Sequence, residues 1–263
     1  MNTTHTSQAK TIVIKVGTDT LNENDKLSQQ VIQHLADQIA ELKKSMYVIL
    51  VTSGAIGAGR SLIPAKHLAA LRDKKQALSG LGQTMLMDMW RDAFAKHTIL
   101  CGQGLVIKED CTVAEKIQSM QTVFRECREI EEIAGLRIVP VINGNDFVSY
   151  GPTRTDNDEV AGAIAFMVKA EKLLLLTNVD GLFTGDPSLS TSELIRKIDV
   201  DHDDYRSCIS ADTSAGGTGG MLSKYDVAVH AAQNDIVTHI GNGKAHNAIR
   251  RLIAGNIGTR FHR

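Results

Sequence analysis

Short runs of aliphatic and β-branched residues alternate along this chain with longer segments of helical periodicity. The runs predict strands at residues 12–16, 47–51, 99–107, 137–142, 173–176 and 236–240. Strands that alternate with helices are typical of a mainly parallel sheet that is covered by helices. Because the runs are almost continuously apolar, we expect central strands that are buried on both faces. The pattern therefore predicts the α/β fold class.

The length and composition are those of an ordinary globular protein. The 263 residues, 43% of them hydrophobic, can bury the core of one large α/β domain or of two tightly joined lobes. There is no internal repeat, no low-complexity tract and no linker rich in Pro or Ser, so one compact unit is the simplest interpretation. Within it, the two halves of the chain could form the two sides of a cleft.

Charge and cysteine usage restrict the partners and the compartment. The 29 basic and 30 acidic residues are scattered along the chain and give a formal net charge of −1. This balance provides no broad basic field, so we expect neither a nucleic-acid nor a membrane partner. The polar N-terminus and the absence of a long apolar run argue against secretion and membrane insertion. Four cysteines without C-x-x-C spacing indicate reduced thiols in a cytoplasmic protein.

Two lysines near opposite ends of the chain stand beside glycines. Lys15 ends the first predicted strand, which runs into Gly17 and Thr18, and a glycine there lets the backbone approach a ligand closely. The glycine-rich segment 216–220 precedes a predicted helix with Lys224 in its first turn, an arrangement that can cradle nucleotide phosphates. Each segment also has a structural interpretation, as a lysine exposed at a strand end and as a flexible linker.

Two further strand ends carry small or polar residues. The second predicted strand is followed by Ser53, Gly54 and further glycines, and the exposed N–H groups of such a turn can bind anions. The fourth predicted strand is followed by Asn143, Asn145 and Asp146, at the position where ligands bind in open α/β sheets. A tight structural crossing explains the first segment equally well, and turn chemistry explains the second.

Asp156, Asn157, Asp158 and Glu159 stand immediately before a segment of helical periodicity. Acidic and amide side chains favour a helix N-terminus, and Glu159 stands at capping-box spacing from Asp156. Capping uses one or two of these side chains and leaves at least one carboxylate to hold lysines or a metal-bound phosphate. Two cations with an acidic residue that organises them are what transfer of a phosphoryl group requires.

Several other enzyme classes lack their motifs in this sequence. There is no G-x-x-x-x-G-K-[ST] loop and no G-x-G-x-x-G dinucleotide motif. The nine histidines show no H-E-x-x-H spacing, and no G-x-S-x-G elbow is present. Metalloprotease and α/β-hydrolase functions are therefore excluded.

Taken in chain order, these segments resemble those of the amino acid kinase family over nearly the whole chain. Within that family, the Ser-Gly-Ala-Ile and Asp-Asn-Asp segments are most similar to those of the kinases that phosphorylate the side-chain carboxylate of glutamate. The resemblance implies a three-layer αβα sandwich with a central, mainly parallel sheet. The motifs that carry it are at residues 14–18, 51–56, 75–78, 82–83, 139–143, 156–158, 180–184, 186–187 and 217–221.

The resemblance also implies a reaction and its cofactors. The γ-phosphoryl group of ATP would pass to the γ-carboxylate of L-glutamate, the first step of proline biosynthesis, with Mg²⁺ bridging ATP oxygens. We expect a single domain over residues 1–263, in which 1–150 bind mainly the amino acid and 151–263 mainly the nucleotide. We expect no RNA-modification-type PUA domain of the kind that many bacterial relatives append.

Carried over position by position, the resemblance implies roles for individual residues. Lys15 and Lys224 would neutralise the transferring phosphoryl group, and Asp158 would hold both ammonium groups. No protein residue is assigned to the metal. The residues that would bind glutamate are Ser53, Gly54, Asn143, Asp146, Asp156 and Asn157. Those that would bind ATP are Lys15, Gly17, Thr177, Asn178, Thr218, Gly219, Gly220, Met221, Leu222, Ser223 and Lys224.

Some residues near the expected amino-acid site depart from the family pattern. Gly144 stands where similar enzymes usually carry Glu, Thr155 where they carry Gly, and residues 160–162 where they carry Leu-Ser-Ala. The resemblance further implies a homodimer or homotetramer and a downstream partner, glutamyl phosphate reductase. Two alternatives stay open. One is a related kinase that acts on acetylglutamate, aspartate, a phosphate or a phosphonate, and the other is a nucleotide-binding regulatory protein without turnover.

Overall fold

The computed structural model describes residues 9–24, 26–149, 155–209 and 220–263. The strands are β1 (Thr11–Val16), β2 (Asn22–Glu23), β3 (Lys26–Leu27), β4 (Tyr47–Val51), β5 (Leu100–Val106), β6 (Ile138–Gly144), β7 (Lys172–Thr177), β8 (Leu182–Phe183), β9 (Leu194–Ile195), β10 (Lys197–Asp199), β11 (Val237–Asn242) and β12 (Thr259–His262). The α-helices are α1 (Thr18–Leu21), α2 (Gln29–Leu42), α3 (Ala55–Ser61), α4 (Lys75–Ala95), α5 (Ala114–Ala134), α6 (Asn157–Met167), α7 (Met221–Gln233) and α8 (Ala248–Ile253). Short 3₁₀ helices lie at Ala65–Leu71, Lys108–Cys111 and Arg206–Cys208.

Eight of the described strands form one sheet, in the order β10-β12-β11-β7-β1-β4-β6-β5. The strands from β11 to β5 in that order are parallel to one another. Strand β12 is antiparallel to β11, and β10 runs parallel to β12. The predicted mainly parallel sheet is confirmed. Because the carboxyl ends of parallel strands meet at one edge, the residues that follow β1, β4, β6 and β7 lie close together.

The predicted burial is right for the central strands and wrong for one run. Strands β1, β4 and β6 are buried along their whole length, and β7 is buried from Leu173 onwards. The predicted run at 99–107 forms β5, which lies at the edge of the sheet and exposes Leu100 and Leu105. An edge strand has a neighbour on one side only, so an apolar run alone does not ensure burial.

Helices cover both faces of the sheet. Ile14 and Val16 of β1 pack with residues of α2, α4 and α8 on one face, whereas Val13 packs with residues of α5, α6 and α7 on the other. Successive side chains of a strand point to opposite faces, so Lys15 shares the face of Val13 with α6 and α7. The three layers confirm the predicted α/β fold class. No described helix is both long enough and apolar enough to cross a membrane.

Helices α3 and α4 touch through their backbones at two glycines. A Cβ atom on Gly59 would lie 1.9 Å from the carbonyl oxygen of Leu78, and one on Gly82 would lie 1.9 Å from that of Ala55. Gly54, just before α3, has a φ of 108°, a left-handed conformation that favours glycine. The structural interpretation of this glycine-rich segment is therefore correct at Gly59. The crossing holds the turn before α3 against the middle of α4.

Candidate active site

The carboxyl ends of the central strands and the first turns of α6 and α7 converge at one edge of the sheet. Lys15 is the penultimate residue of β1, Asp158 lies in the first turn of α6, and Lys224 lies in the first turn of α7. Asp156 and Gly220 stand at the N-cap positions of the two helices. The predicted helix after Asp156 is thus confirmed, and both predicted lysines reach the same edge.

One buried carboxylate binds both lysines. Oδ1 of Asp158 is 2.8 Å from Nζ of Lys15, and Oδ2 is 2.9 Å from Nζ of Lys224. The Asp158 side chain is fully buried, and the side chains of Lys15 and Lys224 are only 6% and 9% exposed. We name these three residues the ion-paired cluster. The structure brings together the three residues that the sequence motifs had indicated for charge neutralisation.

The charges in the ion-paired cluster are unequal, because two ammonium groups formally share one carboxylate. Burial by itself would raise the pKa of Asp158. The charges and hydrogen bonds of Lys15 and Lys224 outweigh burial and hold that pKa below its usual value. Asp158 is therefore ionised at neutral pH, and the cluster keeps an excess positive charge. A poorly hydrated excess charge is costly unless an anion compensates it, so this site favours an anionic ligand.

Close backbone approach sets the position of the ion-paired cluster. A Cβ atom on Gly162 would lie 2.8 Å from Cγ1 of Val227, so glycine lets α6 and α7 approach one turn beyond the paired residues. On the strand side, the N–H of Gly17 donates to the carbonyl oxygen of Leu176 at 3.2 Å. A Cβ atom on Gly17 would lie 3.7 Å from the ammonium nitrogen of Lys15. The turn after β1 therefore borders this ammonium group.

Asp156 caps α6 and also ties it to α7. Its Oδ1 accepts a hydrogen bond from the backbone N–H of Asp158 at 2.8 Å, and its Oδ2 accepts one from Oγ of Ser223 at 2.7 Å. The capping interpretation is therefore correct for Asp156. Because both carboxylate oxygens have protein donors, the contacts indicate that Asp156 positions the two helix starts.

A chain of amide side chains lies beside the ion-paired cluster. Asn157 accepts a hydrogen bond from the N–H of Gly144 at 2.8 Å and donates to Oγ of Ser53 at 3.1 Å. Asn157 also donates to Oδ1 of Asn143 at 2.9 Å, and Asn143 donates to Oε1 of Gln83 at 2.8 Å. We name the side chains of Ser53, Gln83, Asn143 and Asn157 the amide network. It connects the turn after β4 and the end of β6 with α4 and α6.

Gln83 is the member of this network to which the sequence motifs assigned no role. It lies in the middle of α4, where no turn or helix end marks a functional position. Gln83 is only 9% exposed, and its neighbour Gly82 is what brings this part of α4 against α3. Two signals were available: residues 82–83 are one of the motifs of the resemblance, and glutamine, which is mostly exposed in folded proteins, lies here on the buried face of a helix.

The two other residues predicted for the amino-acid side also lie at this edge. Gly54 precedes α3, and half-buried Asp146 lies in the turn after β6, where its N–H donates to the carbonyl oxygen of Gly144 at 3.0 Å. Gly144 and Thr155, both departures from the family pattern, are neighbours in space. A Cβ atom on Gly144 would lie 3.3 Å from Cβ of Thr155, so a larger residue at 144 requires a shift at 155.

The residues predicted for the nucleotide lie at the ends of β1 and β7 and at the start of α7. Thr177 ends β7, and its hydroxyl donates to Oδ1 of the exposed Asn178 at 3.4 Å. Residues 220–223 form the N-cap and first turn of α7. Thr218 and Gly219 lie outside the residues that the structure describes.

A helix-covered parallel sheet whose strand ends place two ammonium groups on one buried carboxylate, beside a glycine-led helix start, is suited to binding a phosphoryl group. The chain belongs to the amino acid kinase family, whose model matches residues 10–242. The predicted family is therefore confirmed.

Curated relatives of this chain within that family include glutamate 5-kinases. The chain is 37% identical over 246 residues to glutamate 5-kinase of Bacteroides thetaiotaomicron, an alignment that covers 92% of this chain and 66% of the relative. It is 35% identical over 254 residues to glutamate 5-kinase of Chlorobaculum tepidum, an alignment that covers 95% of this chain and 68% of that relative. The predicted similarity to glutamate-phosphorylating kinases is confirmed. The chain spans about two thirds of the length of these relatives.

Solved structures share the fold at low sequence identity. Carbamate kinase from Giardia lamblia bound to AMP-PNP has a TM-score of 0.66 at 14% identity, covering 97% of this chain and 99% of that one. UMP kinase from Bacillus anthracis has a TM-score of 0.61 at 17% identity, and the match covers 97% of this chain and 96% of that one. These similarities confirm the αβα sandwich that the resemblance implied.

Proposed function

We propose that this chain transfers the γ-phosphoryl group of ATP to the γ-carboxylate of L-glutamate, giving L-glutamyl 5-phosphate and ADP. This is the first step of proline biosynthesis. The observation that carries the proposal is the buried Asp158 with one lysine ammonium on each carboxylate oxygen. The similarity to kinases named glutamate 5-kinase supports the choice of acceptor.

The acceptor needs no general base. A glutamate carboxylate has an unperturbed pKa of about 4.3 and is ionised at neutral pH. One of its oxygens attacks the γ-phosphorus in line, and the bond from that phosphorus to the β-phosphate oxygen breaks. The obstacle is repulsion between two anions in a poorly hydrated cleft. Lys15 and Lys224 oppose this repulsion and stabilise the charge of the transition state.

Asp158 acts in this mechanism as a positioning residue. Each of its oxygens holds one ammonium group, so the two positive charges stand on either side of a single buried carboxylate. Its pKa is held below the usual value, and it therefore carries no proton to transfer at neutral pH. Charges that are in place before the reaction need no reorganisation during it. Such preorganised charges are usually the largest electrostatic contribution to catalysis.

The part of the site that contains the amide network would bind glutamate. Ser53, Asn143 and Asn157 offer neutral polar groups at the ends of β4 and β6 and at the start of α6. Gly54 would present its backbone, and Asp146 would pair with the α-ammonium group of the substrate. Asp156 would act through Ser223 and the start of α6.

The nucleotide would lie across the ends of β1 and β7 and the start of α7. Gly17, Thr177 and Asn178 would border it on the sheet side. Residues 218–224 would surround its phosphates, with backbone N–H groups and the positive end of the α7 dipole directed towards them. Lys15 and Lys224 would contact the phosphoryl group from these two sides.

Mg²⁺ would enter bound to ATP, and the described residues offer it no ready ligand set. Both oxygens of Asp158 contact lysines, and both oxygens of Asp156 accept hydrogen bonds from the protein. In the described part of the chain, no three His, Cys, Asp or Glu side chains form a group that could hold a metal ion. When bound to the nucleotide, Mg²⁺ supplies neutralisation of phosphate charge.

The proposal extends to the organisation and partners of the protein. One domain would place the acceptor mainly over residues 1–150, which carry Ser53 and Asn143, and the nucleotide mainly over 151–263, which carry Lys224 and the start of α7. We expect a homodimer or homotetramer in the cytoplasm. An acyl phosphate is labile, which favours delivery by direct contact to glutamyl phosphate reductase.

The test is an ADP-release assay with MgATP and L-glutamate as the acceptor. Parallel reactions contain aspartate, N-acetylglutamate or uridylate. ADP release that depends on glutamate alone supports the proposal. Release with another acceptor identifies a related kinase, and the absence of turnover with every acceptor, together with retained ATP binding, indicates a regulatory protein.

A further inference from the structure

Gln83 contains a buried hydrogen-bond donor that has no partner in the described part of the chain. Its Oε1 accepts the hydrogen bond of Asn143, whereas its Nε2 has no partner among the described residues. Buried amide groups are nearly always paired, because an unpaired one loses its hydration without compensation. The donor is therefore a group that a bound ligand would satisfy.

The backbone determines the orientation of every amide in the network. The N–H of Gly144 can only donate, so the side-chain atom of Asn157 that faces it is the oxygen. The nitrogen of Asn157 consequently faces Asn143 and meets its oxygen. The nitrogen of Asn143 then faces Gln83 and meets its oxygen. The nitrogen of Gln83 is therefore the last group of the amide network.

This orientation makes the outer groups of the network donors. Oγ of Ser53 accepts from the nitrogen of Asn157, so the hydroxyl proton of Ser53 remains available for donation. Nε2 of Gln83 likewise offers N–H groups. An ionised carboxylate only accepts hydrogen bonds, and it is the complementary partner for such a set of donors.

We propose that Gln83 is a specificity-determining residue for the acceptor. Its oxygen holds Asn143, and with it the network, in the donor-presenting orientation, and its Nε2 donates to a carboxylate oxygen of the bound amino acid. The ligand class is an amino acid with an ionised carboxylate. This inference rests on the proposed glutamate kinase function and assigns to that site a residue that the sequence motifs left without a role.

The first test compares Gln83→Met with Gln30→Met, which makes the same change at an exposed position on α2. Methionine keeps the length of the side chain and removes both the acceptor and the donor. We expect the KM for glutamate to rise about tenfold or more in Gln83→Met, with the KM for ATP within about twofold of wild type. The Gln30→Met variant should match the wild type in both constants.

The second test uses Gln83→Glu. A carboxylate at this position can still accept the hydrogen bond of Asn143, but it has no donor and adds a negative charge beside an anionic ligand. The KM for glutamate should therefore rise further than in Gln83→Met. Wild-type affinity in Gln83→Glu would overturn the proposed donation from Nε2.

Thermal unfolding separates specificity from structural support. Without ligands, Gln83→Met should unfold at or somewhat below the wild-type temperature, since it removes a buried donor that has no partner among the described residues but also leaves Nδ2 of buried Asn143 without its acceptor. The stabilisation that L-glutamate gives the wild type should be largely lost. A lower unfolding temperature without ligands, with a normal shift on adding glutamate, would mean a structural role only and would overturn the inference.

Measurements on the wild type separate a failure of this inference from a failure of the proposed function. If the wild type neither turns over nor binds L-glutamate, the proposed function fails before the variants are compared. If the wild type is active and both Gln83 variants keep its KM for glutamate, the function stands and the inference about Gln83 is wrong.

Discussion

Asn157 and Asp158 are neighbours in the first turn of α6, yet they belong to two different regions of the site. Asp158 holds the ion-paired cluster, which is charged and complete, because both carboxylate oxygens contact an ammonium group. Asn157 holds the amide network, which is neutral and incomplete, because Nε2 of Gln83 has no partner among the described residues. Adjacent residues on one helix start thus hold a region whose ion pairs are complete and a region that, with the proposed role of Gln83, substrate would complete.

The difference corresponds to two tasks in the proposed reaction. Charges held in place in advance stabilise the transition state, so the ion-paired cluster should control kcat. Neutral hydrogen bonds distinguish ligands by their pattern of donors and acceptors, so the amide network should control the KM for glutamate. Substitutions in the two regions should therefore affect different kinetic constants.

The largest effect is expected for Asp158→Asn. The substitution leaves two buried ammonium groups without a carboxylate, and breaking a buried ion pair costs roughly 3 to 5 kcal/mol. The free energy of unfolding, measured by urea titration at neutral pH, should fall by about that amount. Unchanged stability would show that the ion-paired cluster is not held together by this charge.

The pH dependence of stability tests whether the ionised form of Asp158 stabilises the folded protein. Because the folded-state pKa of Asp158 is lowered, its stabilisation is present above the unfolded-state pKa of about 3.9 and is lost as the pH falls through the folded-state value. As the pH falls below the unfolded-state pKa, the wild type should therefore lose more unfolding free energy than Asp158→Asn. Parallel curves for the two proteins would contradict the lowered pKa.

The next effect is expected for Lys15→Ala and Lys224→Ala. Each should lower kcat by about 10²- to 10³-fold, because one charge that stabilises the transition state is lost. Steady-state kinetics with MgATP and glutamate measure this effect, and circular dichroism checks the fold. Lys197→Ala, at an exposed position of β10, is the matched control. Normal turnover in either site variant would remove that lysine from the mechanism.

A smaller effect, on a different constant, is expected for Asn143→Leu. The side chain of leucine has a similar shape but breaks the amide network in the middle, leaving Asn157 and Gln83 without their shared partner. The KM for glutamate should rise about tenfold and the KM for ATP should hardly change. Equal increases in both constants would mean that the two regions are not separate in function.

The smallest effect is expected for Ser223→Ala, which removes the hydrogen bond between α7 and Asp156. A hydrogen bond from a hydroxyl to a carboxylate contributes about 1.5 to 3 kcal/mol to stability, and because only part of this loss would displace Lys224, kcat should fall roughly threefold to fivefold. A loss as large as that of Lys224→Ala would instead place Ser223 in direct contact with the reacting groups.

Much of the fold could be predicted from the sequence because its signals are local. The apolar runs located β1, β4 and β7, and the acidic and amide residues before α6 located its start. The edge position of β5 could not be predicted in this way. An apolar run does not reveal how many strands lie beside it, and that number decided the exposure of Leu100 and Leu105.

The candidate site was predictable only in part. Lys15, Asp158 and Lys224 were identifiable from residue type, glycine context and resemblance, and the structure places them together. Gln83 stands in one of the motifs of the resemblance, but its role was not identifiable, because its position in the site depends on the contact between α3 and α4 at Gly82. Such a contact between helices has no signature within a single segment.

Periodicity, glycine turns and capping residues determined the helices, the strands and the chemistry available at their ends, because these properties depend on neighbours along the chain. Tertiary structure alone decided that two lysines from distant segments share one carboxylate. It also decided which way each amide of the network faces, since that orientation starts from the backbone N–H of Gly144. Distances and hydrogen-bond directions between remote segments exist only after the sheet and its helices have packed.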